Sequence, residues 1–261
     1  MSSVNFNFSK PVSGTIWTTW VVPDKPWLLL EVRSEARRAV RFYLLDYKTG
    51  EWLWQNAPVP EPWWVSVAGV TSTTLVLHRF KGYESPERTA LLAIDLAAPA
   101  VLWQREASSL VSAAGDALRC SNGLDSTVQI VLDARTGKEI DLEAPNNVGA
   151  HKISPLVRPF QYLEGTPYFG TVSEFARTRL QLHPVGAVEY LEHGGLILLT
   201  LHVKQEELVS YLVVLTAAGE VLLNEKTNDN LKGIAVDTFF LLEGWLIFVK
   251  NGNELLSYKL V

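Results

Sequence analysis

A short phrase recurs along this 261-residue chain. Asp46-Tyr47-Lys48-Thr49-Gly50 leads into Glu51-Trp52-Leu53-Trp54, and Asp95-Leu96-Ala97-Ala98-Pro99 leads into Val101-Leu102-Trp103. Asp133-Ala134-Arg135-Thr136-Gly137 leads into Lys138-Glu139-Ile140, and a worn copy, Leu215-Thr216-Ala217-Ala218-Gly219, leads into Glu220-Val221-Leu222-Leu223. Each copy lies between two apolar runs. The glycine accepts the positive φ of a narrow hairpin, and the aspartate can hydrogen-bond backbone N–H groups inside the turn. Pro99 stands where the glycine should be, so the second turn is expected to have another geometry.

The turn positions 50, 99, 137 and 219 are 49, 38 and 82 residues apart. The last gap is about two periods, which predicts a diverged copy near position 178; one further period beyond Gly219 reaches the C-terminus. Units of roughly 40 residues with several short strands each are the signature of propeller blades. The strand runs agree with this. Trp27 to Val32, Phe42 to Leu45, and Glu51 to Trp54 form one set; Trp63 to Val67, Thr74 to Leu77, and Ala90 to Ile94 form the next. Leu196 to Val203, Ser210 to Leu215 and Glu220 to Leu223 form another. All are rich in β-branched, aromatic and leucine residues and are bounded by turn formers. No segment sustains a 3.6-residue period, so little helix is expected.

The fold expected is therefore all-β: a single-domain β-propeller over residues 1–261. Six blades are assigned to 14–55, 60–104, 108–142, 150–184, 187–225 and 232–261. A seven-bladed ring needs about 37 residues per blade, which the chain nearly supplies. Residues 143–190, with five prolines, are the least regular and are assigned to a degenerate fourth blade. The last strand, Glu254 to Val261, has no partner after it. The strand-like piece at 4–8 is expected to pair with it and close the ring, which gives Phe6 and Phe8 a packing role.

The Asp-x-x-Thr-Gly-x-x-x-Trp phrase, as in Asp46 to Trp54, resembles the repeat of quinoprotein-like (PQQ-like) β-propellers and their non-catalytic relatives. The resemblance covers three or four hairpins and implies the fold. Catalytic members carry a cofactor cage with a vicinal disulfide and a calcium site. This chain has one cysteine, Cys120, and no calcium-loop motif. The resemblance thus implies membership of an uncharacterised bacterial β-propeller family that lacks that cage, and no cofactor is expected.

Composition narrows the function further. An apolar content of 48% supports a large core, and a net charge of −5 gives no reason to bind nucleic acid or an anionic membrane. A single cysteine excludes an internal disulfide and a multi-cysteine zinc site. The N-terminus has neither a basic start nor an apolar run of signal-peptide length, so a cytoplasmic location is expected.

The sequence lacks a nucleophile elbow, a phosphate loop and a dinucleotide fingerprint. The five histidines form no His-x-x-x-His pair. His78 and His202 occupy equivalent second strands; either they converge on a channel, or each sits between blades or points to solvent. Trp63-Trp64 is either an aromatic binding face or core. Loops on a rigid scaffold carry function. The face holding the second-to-third-strand and fourth-to-first-strand loops receives Arg37, Tyr83, Arg88, Asn147 and His151, and these are the candidate ligand-binding residues. No catalytic or metal-binding residue is assigned. The expected function is a non-enzymatic binding or scaffold module that presents this face to a protein, peptide or small polar ligand. The alternative is a hydrolase or lyase acting on a sugar-like substrate in the channel.

Overall fold

The computed structural model describes residues 3–83, 85–122, 125–141 and 156–261. Strand β1 (Val4–Pro11) is followed by four consecutive antiparallel strands, β2 (Thr15–Val21), β3 (Trp27–Ser34), β4 (Ala39–Asp46) and β5 (Trp52–Gln55). A second four-stranded meander holds β6 (Val65–Val70), β7 (Thr74–Gly82), β8 (Ser85–Asp95) and β9 (Val101–Glu106). A third sheet holds β10 (Ser108–Ala114), β11 (Ala117–Asn122) and β12 (Asp125–Asp133). Next come β13 (Leu156–Val157), β14 (Phe160–Leu163) and helix α1 (Pro167–Phe175). The fourth sheet runs β14, β15 (Pro184–His193), β16 (Leu196–Lys204), β17 (Leu208–Thr216), β18 (Val221–Leu231). The fifth is built on β19 (Phe239–Leu242), β20 (Trp245–Lys250) and β21 (Glu254–Leu260), with β1 beyond β21 and β13 beside β19.

The recurring phrase makes the turn it was read to make. Asp46 Oδ1 accepts from the Lys48 and Thr49 N–H groups, and Asp133 Oδ1 accepts from Thr136 N–H and its hydroxyl. Gly50 and Gly137 have φ of 74° and 66°, and each donates its N–H back to the aspartate carbonyl. At Pro99 that donor does not exist. The rest of the turn is kept: as at Asp46, the Asp95 carboxylate accepts from the N–H groups two and three residues on, Ala97 at 2.7 Å and Ala98 at 3.2 Å, and the Asp95 N–H reaches the Ala100 carbonyl. The strand after each turn then reaches the next sheet. Trp54 Nε1 donates to the Leu96 carbonyl at 2.8 Å, and Trp103 Nε1 to the Ala134 carbonyl at 2.9 Å. Both carbonyls belong to the residue following the turn aspartate, so in the first two copies a tryptophan locks its sheet to the turn of the next.

Contacts group the strands into two compact units, residues 12–154 and residues 1–11 with 155–261. In the first, Leu29, Phe42 and Leu44 pack against Leu75, Leu77, Leu92 and Ile94 of the second sheet. The other face of that sheet offers Val76 and Leu91 to Leu110, Leu118, Cys120 and Leu132 of the third. Strands covered on both faces need no polar alternation, which is why they read as continuous apolar runs. In the second unit Leu198, Leu212 and Val214 face the fifth sheet, while Leu199, Leu201, Val213 and Leu215 face α1. Among the described residues no helix is long and apolar enough to cross a membrane.

Three features depart from the expected layout. Five sheets, not six, are present among the described residues. The stretch assigned to a degenerate fourth blade forms no sheet of its own there. Instead β13 pairs with β19, β14 pairs with β15, and α1 covers the fourth sheet. Proline explains part of this: Pro167 opens α1, where its missing N–H costs nothing, and the Thr166 hydroxyl caps the Phe169 N–H. The N-terminal strand does pair with the last strand, Val4 opposite Leu260 through Pro11 opposite Glu254. Phe8 is buried, whereas Phe6 stays exposed with its ring 5.5 Å from that of Tyr258.

Candidate functional site

The first strand of each of the first three sheets carries a β-bulge: β2 between Ile16 and Thr18, β6 between Val67 and Gly69, β10 between Leu110 and Ser112. A bulge interrupts the ladder, and a buried N–H freed from it needs another acceptor. In β6 and β10 the acceptor comes from the preceding sheet. Glu31 of β3, wholly buried, accepts from Val67 N–H at 3.0 Å and the Ser66 hydroxyl at 2.9 Å. His78 of β7 accepts Leu110 N–H on Nε2 at 2.9 Å. Its ring is therefore neutral with the proton on Nδ1. Burial, and secondarily the Arg88 charge, lowers its pKa from 6.5 to about 4.

The second unit uses the same two side-chain types on a loop, the one that leads into β19, and not on a bulge. His202 Nε2 accepts Ala235 N–H at 3.2 Å, while Nδ1 lies 3.3 Å from the Ala187 carbonyl and donates to it. Glu189 accepts from Asp237 N–H at 2.5 Å, Thr238 N–H at 3.2 Å and the Thr238 hydroxyl. Burial pushes its pKa up, against the pull of those hydrogen bonds. Each histidine thus holds backbone within its own unit. Cys120 is likewise buried, with its thiol pushed up to about 11. Among the described residues no group of three or more His, Cys, Asp or Glu is placed to hold a metal.

Chemistry left over for a partner appears at the C-terminal end of β3. Arg33 Nε donates to Glu31 Oε1 at 2.8 Å and Nη2 to the Val65 carbonyl at 2.7 Å. The guanidinium lies between two indoles, 5.5 Å from the Trp17 ring centre and 5.4 Å from that of Trp63. Trp63 is fixed in turn, because Glu61 Oε1 accepts from both the Trp63 and Trp64 N–H groups. Trp63 also packs on the core, so Trp63-Trp64 is not a free aromatic face. Trp17, the extra residue of the β2 bulge, remains 62% exposed. The result is an immobilised cation between two rings, with one ring presented to solvent.

Residues 21–103 match a family model described as a domain of unknown function, DUF4905. The match runs from the end of β2 into β9 and includes Arg33, Trp63 and the β3–β4 and β7–β8 turns. No curated protein matches the chain. Among solved structures, BamB from Moraxella catarrhalis is similar at 12% identity and a TM-score of 0.25, over 95% of this chain and 59% of that one. This chain thus spans less than two thirds of the length of that protein.

Of the five residues singled out in the sequence, three are described. Arg37 lies in the β3–β4 turn and is exposed; Tyr83 lies in the β7–β8 turn and is 83% exposed. Arg88 is exposed on β8, opposite Phe80. Arg37 and Tyr83 thus occupy the same hairpin of successive sheets, at the strand ends where Arg33 and Trp63 lie. No hydrogen bond or ion pair joins Arg37, Tyr83 and Arg88 to one another. His151 and Asn147 lie outside the described residues. Trp17 and Arg33 were not singled out. Glu31 and Glu189 left a signal, a lone carboxylate inside an apolar strand. Trp17 left none, because a bulge has no local sequence mark.

Proposed function

We propose that this chain is a non-enzymatic binding module of the propeller type. It presents the edge bearing Trp17, Arg33, Arg37 and Tyr83 to a protein, peptide or small polar ligand. The observation that carries this reading is the Trp17–Arg33–Trp63 stack. A guanidinium held by a buried carboxylate and a backbone carbonyl loses no rotamer freedom when something stacks on the ring above it, which is what preorganisation means energetically. Exposed tryptophan with an arginine beneath it is the composition of an interaction hot spot. The buried ionisable side chains support the same reading, since Glu31, His78, Glu189 and His202 are all engaged in holding backbone N–H groups between sheets.

The test is a peptide array and a glycan array probed with labelled protein, as wild type and Trp17→Ala. Removing an exposed cation–π partner should cost no more than about 1 kcal/mol of stability, so the variant stays folded. Ligands captured by the wild type and lost by the variant support the proposal. Capture that survives Trp17→Ala removes this edge as the site. Turnover of chromogenic glycosides by the purified protein would instead favour a hydrolase.

A further inference from the structure

The opposite ends of the same strands hold a second feature. The β2–β3, β6–β7 and β8–β9 turns and the turn after β12 surround a cavity of about 300 Å³. Its wall includes Lys25, Trp27, Thr73, Asp95 and Arg135. That volume is near the lower end of small-ligand sites, which run from about 300 to 1,000 Å³.

Two cations face this space under different constraints. Arg135 Nη2 lies 3.2 Å from Asp95 Oδ2, and the Arg135 side chain is 58% exposed against 11% for Asp95. Asp95 cannot turn away, because its Oδ1 is held by the Ala97 and Ala98 N–H groups. The carboxylate thus aims the guanidinium while leaving most of its N–H donors in the open. Lys25 has its ammonium 5.5 Å from the Trp27 ring centre. Thr73 adds a hydroxyl, bonded at 3.2 Å to Asp116 Oδ1. Asp24 also lines the cavity, so a ligand that carries a hydroxyl or amine beside its anionic group fits it better than a bare anion.

We propose that this cavity is a binding site for a small ligand with a carboxylate or phosphate group. Arg135 supplies the planar fork that matches an oxyanion, and Lys25 supplies a mobile point charge. Trp27 contributes apolar surface beside them. The arginine belongs to the third copy of the recurring phrase and the aspartate to the second. The repeat that builds the turns therefore also builds the site. This proposal does not rest on the Trp17 edge, which lies at the other end of β3.

The experiment is isothermal titration calorimetry of the full chain at low salt, with glycerol 3-phosphate in one arm and malate in the other, each carrying a hydroxyl beside its anionic group. Wild type is compared with Lys25→Gln, Arg135→Gln and, as a control for bulk charge, Lys232→Gln. Lys25→Gln leaves the Asp95 pair intact, so it reads the site even if Arg135→Gln disturbs the turn. Saturable binding of either anion, weakened about tenfold by Lys25→Gln and unchanged by Lys232→Gln, is the expected result. The stronger arm tells phosphate from carboxylate. Lack of saturation in both arms overturns the proposal. So does binding that Lys25→Gln leaves unchanged, or that Lys232→Gln weakens equally.

Discussion

A buried carboxylate or imidazole inside an apolar strand needs a partner; for Glu31 and His78 the partner is a bulge in the next sheet, and for Glu189 and His202 it is the loop leading into β19. His78 makes the argument quantitative. Removing its ring by His78→Ala strands the Leu110 N–H and opens a void, a combined cost of about 2–4 kcal/mol. Equilibrium urea unfolding should show this as a lower midpoint with an unchanged slope. Acid should act through the same bond. Above about pH 6.5 the ring is neutral in both folded and unfolded chains. Between 6.5 and about 4 the unfolded chain takes up a proton that the folded one refuses, so stability is lost as pH falls through that window. His202, also held down by burial, adds a loss of the same sign. In His78→Gln the slope of stability against pH across that window should be shallower than in wild type, and equal slopes would acquit His78. Glu31 carries a second cost. Glu31→Ala would leave the mostly buried Arg33 without its anion, which is worth about 3–5 kcal/mol and should abolish the ordered Trp17 stack, visible as a loss of near-UV circular dichroism.

Among the elements, the hairpin turns were legible because their chemistry is local. Aspartate caps, glycine reverses, and both can be seen within five residues. Gly137 adds a non-local demand. A Cβ there would lie 2.7 Å from the Trp103 ring, and φ is already 66°. Gly137→Ala should therefore cost more than loss of the cap by Asp133→Ala: roughly 2–3 kcal/mol against about 1. Thermal unfolding of the two single variants and their double tests the order; the two should be less than additive because they share one turn. Helix α1 was not legible for the converse reason. Nine residues do not establish a 3.6-residue period, and Thr166-Pro167, a good helix start, was read as one more irregular proline. What makes α1 a helix is the apolar face of the fourth sheet beneath it, and that is tertiary information. The same holds for Trp17, whose exposure follows from a bulge set by pairing with β3. Arg37 and Tyr83 fall at the same end of their sheets because hairpin order alone decides which end of a strand a loop occupies.

At the scale of the whole chain, dividing length by period assumed that every period builds its own sheet. Residues 156–163 break that assumption by adding edge strands to two existing sheets, so the count came out one too high among the described residues. The pairing of β1 with β21 was legible because 4–8 and 254–261 both read as short strands with alternating apolar residues. In the structure the chain must bring residues about 250 positions apart together to complete the fifth sheet, with Ser3 N–H on the Val261 carbonyl as the outermost bond. Late, long-range pairing of this kind is a point of failure. Deleting residues 1–11 strips β21 of its outer partner and uncovers Leu256 and Leu260, which pack in the core shared with the fourth sheet. A flat unpaired edge of seven residues recruits other chains. The truncated protein should lose about 3 kcal/mol or more and elute in size-exclusion chromatography as concentration-dependent oligomers. A synthetic peptide of residues 3–11 added in trans should restore the monomer, and the same peptide with Phe8→Lys should not, because Phe8 is the side chain that β1 buries. A truncated chain that stays monomeric at its original thermal midpoint would mean that β1 decorates the sheet and contributes nothing to completing it.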